Sequence, residues 1–290
     1  MKNRKGIILA GGFGSRLYPI TLGVSKQLLP IYDKPMIYYP LSVLMTTGIR
    51  EIAIITTLKD LPLFERLLGD GSQWGIELSF IVQPSPDGIA QAYILAEEFL
   101  DGAPSALILG DNIFFGYGFA KMLDNADKFV SGATIFGYHV SDPRRYGVIG
   151  FDVDGMVVSL VEKPSEPASN YVATGLYFLD CEASQRAKSV KPSARGELEI
   201  VSLLEYYLKD GRLRVEKIRR GYAWLDTGTH GSLIDAGNFV RTLQNRQGLQ
   251  IGNVEEVAYD NGWIDKDILE EHANRFKDTG YGKYLFSLLE

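Results

Sequence analysis

The first half of the chain alternates short, wholly apolar runs with longer segments whose apolar residues recur at helical spacing. Gly6-Ile7-Ile8-Leu9, Ile52-Ala53-Ile54-Ile55, Leu78-Ser79-Phe80-Ile81-Val82 and Ala106-Leu107-Ile108-Leu109 are of the first kind. Between them stand helix candidates over Tyr39–Thr47, Leu61–Leu68 and Ala90–Leu100, the second closed by Gly69-Asp70-Gly71. Strands apolar on both faces are what a parallel sheet covered by helices on both sides requires. The alternation predicts an α/β fold, a doubly wound and mostly parallel mixed sheet, with ligands held beyond the carboxyl ends of its strands.

After about residue 133 the texture changes. Thr134–Tyr138, Val148–Phe151, Val157–Val161 and Gly175–Phe178 read as strands without a helix between every pair, and Asp154-Gly155 is a hairpin signal. Helices are predicted at Ala183–Val190 and Leu198–Lys209, then strands at Leu213–Ile218 and Tyr222–Leu225. From about Gly231 the pattern is helical to a tail carrying Tyr281, Tyr284, Leu285 and Leu288. The expected organisation is one α/β domain over 1–240, with halves at about 1–130 and 131–240, and a helical extension over 241–290. No internal repeat or low-complexity linker interrupts it.

Composition narrows the classes. With 290 residues, 46% of them hydrophobic, the chain can bury a sizeable core. A formal net charge of -6 argues against nucleic acid or an anionic membrane as partner, whereas a few local cations suffice for a small phosphorylated substrate. Cys181 is the only cysteine, so neither an intrachain disulfide nor a zinc cluster can form, and it is expected near a strand end as a small apolar residue. Met1–Lys5 leads straight into the first strand without a signal-like segment, and no apolar run is long enough to span a bilayer. The expectation is a cytoplasmic enzyme.

Leu9-Ala10-Gly11-Gly12-Phe13-Gly14-Ser15-Arg16-Leu17 is the most informative stretch. Glycines permit positive φ and leave no Cβ in the way, so this backbone can wrap a phosphate chain, and Arg16 adds a permanent fork of donors. Lys26, in Ser25-Lys26-Gln27-Leu28-Leu29-Pro30, brings a second cation. It is not a Walker loop, which needs Lys and Ser/Thr directly after the last glycine. Nor is it the dinucleotide fingerprint, whose third glycine is replaced by Leu17.

Two carboxylates end apolar strands: Asp111 after Leu107-Ile108-Leu109-Gly110, and Asp226 after Tyr222-Ala223-Trp224-Leu225. Alone, each would read as a cap or turn residue. Beside a Gly-Arg-Lys loop, the pair suits Mg²⁺, which prefers oxygen ligands and shares them with substrate phosphates. Glu162-Lys163-Pro164 ends another strand; a regular strand would send Glu162 and Lys163 to opposite faces, but a frayed end lets both reach a cleft. Gln83, in Gln83-Pro84-Ser85-Pro86-Asp87-Gly88, carries an amide able to pair with a pyrimidine edge, and Gly88 would let a base approach the backbone.

Taken together, GGxGxRLxPxT…SKQLLP (from Gly11) followed by Ile31-Tyr32-Asp33-Lys34-Pro35-Met36-Ile37-Tyr38-Tyr39-Pro40 resembles the sugar-nucleotide pyrophosphorylase family, in its thymidylyltransferase branch. The QPxPDGIAQA, Gly-Asp-Asn and Trp-Leu-Asp-Thr-Gly elements match as well, and the likeness runs to Gly280–Leu285. It implies a Rossmann-like nucleotidyltransferase fold with a nucleotide half and a β-rich sugar-binding half. The implied reaction joins dTTP and glucose 1-phosphate into dTDP-glucose and pyrophosphate, for deoxysugar supply such as dTDP-L-rhamnose, with Mg²⁺ on Asp111 and Asp226. Arg16, Lys26, Asp111, Lys163 and Asp226 are the implied catalytic set. Leu9, Gly11, Gly12, Gly14, Arg16, Lys26, Gln83, Gly88 and Asp111 would hold the nucleotide. Tyr146, Gly147, Glu162, Lys163, Ala173, Arg195 and Trp224 would border the sugar phosphate, although for Trp224 plain core packing fits the sequence equally well. The resemblance also implies a homotetramer with feedback inhibition by a nucleotide sugar. Departures at Ala173 and at Val201-Ser202 bear on sugar preference. The competing readings are a UTP-using uridylyltransferase and, from another class, a catalytically silent nucleotide-sugar sensor, which would not need to keep both the leaving-group and the metal residues.

Overall fold

The computed structural model describes residues 3–290; Met1 and Lys2, which belong to the Met1–Lys5 stretch expected to lead into the first strand, lie outside the described residues. In chain order the elements are β1 (Lys5–Leu9), β2 (Pro30–Ile31), β3 (Lys34–Pro35), α1 (Tyr38–Thr46), β4 (Glu51–Thr56), α2 (Leu61–Leu68), β5 (Glu77–Val82), α3 (Gln91–Leu95), α4 (Glu97–Leu100) and β6 (Ser105–Leu109). There follow β7 (Asn112–Gly116), α5 (Phe119–Asp127), β8 (Ala133–His139), β9 (Gly147–Phe151), β10 (Val157–Glu162), β11 (Tyr171–Leu179), α6 (Ala183–Ala187) and α7 (Ile200–Lys209). The chain closes with β12 (Leu213–Ile218), β13 (Tyr222–Asp226), α8 (His230–Gln247), α9 (Val254–Asp260), α10 (Lys266–Arg275) and α11 (Gly280–Ser287).

Among the described residues the main sheet has nine strands, in the order β10-β9-β11-β6-β1-β4-β5, with β8 on β11 and β12 on β8. The strands β5, β4, β1 and β6 are parallel, and β11 joins β6 antiparallel. The expected doubly wound mixed α/β sheet is therefore present. Because β1 lies between β4 and β6, the connections diverge at its carboxyl end, and a crevice opens there.

Neighbouring side chains on β1 feed opposite faces. Ile8 joins one apolar layer with Leu44, Phe64 and Ile108, whereas Ile7 joins the other with Tyr93, Leu203 and Tyr207. Each fully buried Ile or Leu contributes roughly 1.5–3 kcal/mol. Val254, Ala258, Leu269 and Leu285 of the C-terminal helices belong to the Ile8 layer. A third layer, with Ile31, Met36, Ile113 and Val240, lies beneath the two-stranded ribbon of β7 and β13.

Several boundaries differ from the sequence-based expectation. The helix expected over Ala90–Leu100 is broken at Ala96, which leaves helical geometry at ψ 7°. The helix expected from Leu198 starts at Ile200, because Leu198 N–H donates to Asp87 O (2.6 Å) and Leu198 O accepts from Ala90 N–H (3.0 Å). Leu198 is thereby a strap on the Pro-rich turn. The helix over Ala183–Val190 ends at Ala187. The hairpin at Asp154-Gly155 is as expected, with Gly155 at φ 80° between antiparallel β9 and β10. Cys181 does follow a strand end, but it is exposed rather than packed. Among the described residues no helix is long and apolar enough to cross a membrane.

Candidate active site

The glycine loop leaves β1 into the crevice. Gly14 takes φ 61°, a conformation that favours glycine, and Thr21 Oγ1 donates to Gly14 O at 2.8 Å to close the turn. A single helical turn, Ser15–Leu17, then anchors Leu17 in the core and leaves Arg16 exposed. Gly12 faces open space, while a Cβ on Gly11 would collide with the Gln83 amide. So Gly12 is free for a ligand, and Gly11 is glycine because Gln83 is packed against it.

The two aspartates meet through strand pairing that local sequence does not reveal. After β6 the chain turns at Gly110-Asp111 and runs at once into β7, whose antiparallel partner is β13. The register sets Asn112 against Asp226, so Asp111 lies one residue beyond the paired position. Thr227 fixes the join, donating through N (3.2 Å) and Oγ1 (2.8 Å) to Asp111 O. Lys26 Nζ forms an ion pair with Asp111 Oδ2, and Asn112 Nδ2 donates to Asp111 Oδ1 at 2.9 Å. Burial works against ionising Asp111, but the Lys26 ammonium and the Asn112 amide hold its pKa below the ordinary value. Asp226 behaves oppositely: burial, and next the charge on Asp111, push its pKa up. Two half-buried carboxylates of split titration are a donor set that a divalent cation would relieve. Among the described residues no cluster of three or more metal-ligating side chains exists, so any cation here needs phosphate or water oxygens as further ligands.

Across the crevice, Glu162 ends β10 and Lys163 turns away at φ 46°. That left-handed kink, uncommon for a residue with a side chain, lets both neighbours line the same cavity despite strand alternation. Their charged ends are 3.2 Å apart. Arg195 Nη2 stands 2.7 Å from Glu199 Oε1 and 3.3 Å from Glu162 Oε1. A Cβ on Gly147 would come within 3.0 Å of Val201 and 3.4 Å of the Glu162 carboxylate, so glycine there leaves Glu162 its place.

The cavity measures about 420 Å³. Of the residues expected from sequence, Leu9, Gly12, Gly14, Arg16 and Lys26 line one part of it, and Gln83, Gly88, Asp111, Glu162 and Lys163 the rest. Gly11 lies behind Gln83. Gly88 is at φ 112°, and a Cβ there would strike the Leu198 backbone, so packing as well as ligand access calls for glycine. Asp226 borders the cavity through Gly228, whose added Cβ would sit 3.0 Å from Asp226 Oδ1 and 3.6 Å from Arg16 Nη1. Tyr146, Gly147, Ala173, Arg195 and Trp224 stand outside the lining. Tyr146 stacks edge-on against Trp224 (centroids 5.3 Å), and burial, then the Asp226 charge, raises its pKa. Trp224 is buried, its Nε1–H donating to Asn112 Oδ1 at 2.6 Å, so its place is in the packing that supports Asp111.

A family model described as nucleotidyl transferase matches residues 5–242. The chain belongs to this family. This nucleotidyltransferase is 59% identical over 288 residues to the glucose-1-phosphate thymidylyltransferase of Xanthomonas campestris pv. campestris, covering 99% of this chain and 98% of that protein. It is 57% identical to the Neisseria gonorrhoeae enzyme of the same name (98% and 99% covered) and 53% identical to that of Mycobacterium tuberculosis (99% of each). A solved structure described as a glucose-1-phosphate thymidylyltransferase from Bacillus anthracis, with sucrose, superposes at TM-score 0.76 and 40% identity, covering 82% of this chain and 95% of that one. A UDP-glucose pyrophosphorylase with UDP-glucose shares the fold at TM-score 0.74 and 23% identity, over 83% of this chain and 99% of that one.

Sequence reasoning on this nucleotidyltransferase passed over Asn112, Gln91, Glu199 and Gly228. Asn112 directly follows Asp111, and Gly228 lies two residues after Asp226, so proximity to the strand-end carboxylates was the available signal. Gln91 lies inside the QPxPDGIAQA element and Glu199 in the Arg195–Ile200 stretch, so for these two the motif itself was the available signal.

Proposed function

We propose that this chain condenses dTTP with α-D-glucose 1-phosphate to dTDP-glucose and pyrophosphate. The observation that carries the reading is one cavity lined by the Gly-Arg-Lys loop, Asp111 and the Glu162–Lys163 kink, with Asp226 beside its Gly228 wall, in a chain similar along its full length to thymidylyltransferases. A sugar-phosphate oxygen attacks the nucleotide α-phosphorus in line; the new O–P bond forms as the bond to the β-phosphate oxygen breaks, and pyrophosphate leaves. No side-chain nucleophile is required, only alignment and neutralisation of charge. Arg16 and Lys26 stabilise the departing pyrophosphate, with Lys26 exchanging Asp111 for phosphate oxygens. Lys163 and Arg195 hold the sugar phosphate against the repulsion of the nucleotide anion. Glu162 accepts from sugar hydroxyls, and Tyr146, Gly147, Ala173 and Trp224 shape that side. Asp111 and Asp226 are the residues that would hold Mg²⁺, which supplies Lewis-acid neutralisation of the phosphates when bound.

On this reading residues 1–240 form the catalytic unit, split near residue 130 between nucleotide and sugar, and 241–290 carry subunit contacts of a homotetramer. The need for dTTP places the enzyme in the cytoplasm, and the product enters deoxysugar synthesis. The test is pyrophosphate release with glucose 1-phosphate and Mg²⁺, comparing dTTP with UTP and omitting each component in turn. Release that needs all components and prefers dTTP supports the reading, and UTP preference makes the enzyme a uridylyltransferase. No release from a folded, nucleotide-binding protein makes it a sensor. Light scattering on the full chain tests the tetramer.

A further inference from the structure

Another cavity, of about 600 Å³, shares no lining residue with the crevice. It is large enough for a small organic molecule. Three stretches far apart in sequence form it: residues 32–38, the end of α8 with the loop after it, and residues 276–284 around the start of α11. Five aromatic residues line it, Tyr32, Tyr38, Phe276, Tyr281 and Tyr284.

Two of these side chains border the cavity with their rings rather than their hydroxyls. Tyr284 donates to Glu256 Oε1 at 2.8 Å and Tyr281 donates to Glu255, both on α9. Neither glutamate lines the cavity, so both hydroxyls are spent behind its wall. Aromatic faces attract cations through their quadrupole, and two rings of this lining already do so. Lys34 Nζ stands 5.7 Å from the Tyr281 centroid, and Arg275 Cζ 5.5 Å from that of Phe276. The charge of Lys34 is used internally: Nζ is 2.6 Å from Asp33 Oδ1 and donates to Ile251 O at 3.1 Å. Its side chain is 2% exposed, whereas that of Asp33, also in the lining, is 21% exposed. Gln244, with its amide turned to satisfy both ends, donates to Asp33 Oδ2 at 3.0 Å. A carboxylate has about four acceptor sites, so Asp33 keeps capacity and charge for a ligand.

We infer that this cavity is a binding site for a small quaternary ammonium ion, held among the rings of Tyr32, Tyr281 and Tyr284 with Asp33 as its counter-charge. A primary ammonium brings three N–H donors that each need an acceptor, and the hydroxyls of Tyr281 and Tyr284 are already committed. A quaternary ammonium has no N–H and asks only for aromatic faces and nearby negative charge. An anion would meet Asp33 in the wall and Glu255 and Glu256 behind it. The inference is independent of the nucleotide site, because the two cavities have no residue in common.

Calorimetry on the full chain, with choline as the probe, reads the site without turnover. The control is 3,3-dimethyl-1-butanol, which has the shape of choline without its charge. The wild type should bind choline about tenfold or more tighter than the alcohol. Tyr281→Leu removes a ring and should weaken choline about tenfold, while Tyr281→Phe keeps the ring and should stay within about threefold of the wild type. Tyr32 is 45% exposed, so Tyr32→Leu leaves the core untouched and serves if Tyr281→Leu does not fold. It should weaken choline about threefold or more. Equal binding of choline and the alcohol would make this a plain apolar cavity and overturn the inference. So would the absence of choline binding at millimolar concentration, the result expected if a second copy of the chain covers the cavity. Unchanged choline affinity in the folded ring-deleted variants would place the cation elsewhere and overturn it as well.

Discussion

Asn112 on β7 stands opposite Asp226 on β13, and that one register places the Asp111 carboxylate, held by the Asn112 amide at 2.9 Å, within electrostatic reach of Asp226. The pair is costly in the unliganded protein. Burial first, and then the Asp111 charge, raises the Asp226 pKa in the folded state. A carboxyl with a raised folded pKa contributes stability below its unfolded value and loses it as pH rises through the folded value. Asp226 therefore works against stability at neutral pH. Asp226→Asn should lower Mg²⁺-dependent pyrophosphate release by about 100-fold or more, while its melting temperature stays level or rises. A lowered melting temperature with near-normal turnover would remove Asp226 from the proposed site.

Asn112 itself is a support. Its Oδ1 accepts from Trp224 Nε1–H (2.6 Å) and Gly175 N–H (3.2 Å), both buried. Asn112→Ala leaves the two donors unpaired, and urea denaturation should show a loss of about 3 kcal/mol. An unchanged midpoint would mean that water takes over both bonds.

Lys163 separates strain from chemistry. At φ 46° its backbone is in a region that costs a residue with a Cβ about 1 kcal/mol. Lys163→Gly should be the more stable of two variants by about that amount relative to Lys163→Ala. Both should raise KM for glucose 1-phosphate more than for dTTP. The opposite kinetic pattern would show Lys163 serving the nucleotide instead.

Acid sensitivity should arise far from the cavity. Glu255 is 3% exposed; burial opposes its ionisation, yet His272 (Nδ1 at 3.7 Å), Tyr281 and Trp74 (Nε1 at 3.1 Å) together hold its pKa below 4.5. For a depressed carboxyl pKa, the contribution is complete above the unfolded value and is lost as pH falls through the folded one. Unfolding free energy should therefore drop as pH goes below 4.5, and Glu255→Gln should show a shallower drop over the same window, at lower stability near neutrality. Parallel curves for the two proteins would place the acid-sensitive group elsewhere.

Much of this molecule was legible in the chain because its signals are local. Ile52-Ala53-Ile54-Ile55 between helix-period segments is enough for a buried parallel strand, and Gly12, Gly14 and Arg16 announce a phosphate loop through backbone freedom and charge that no distant residue supplies. The strand-end positions of Asp111 and Asp226 could be read in the same way. Tertiary structure alone decided that the two aspartates share one ribbon, since β7 and β13 pair across a long separation and neither strand's pattern specifies its partner. It also decided the kink that turns Lys163 beside Glu162 and the Leu198 strap that shortens α7. Periodicity and glycine content are set by each residue's neighbours in sequence, whereas strand register and the strap of one segment on another exist only once distant segments are in contact.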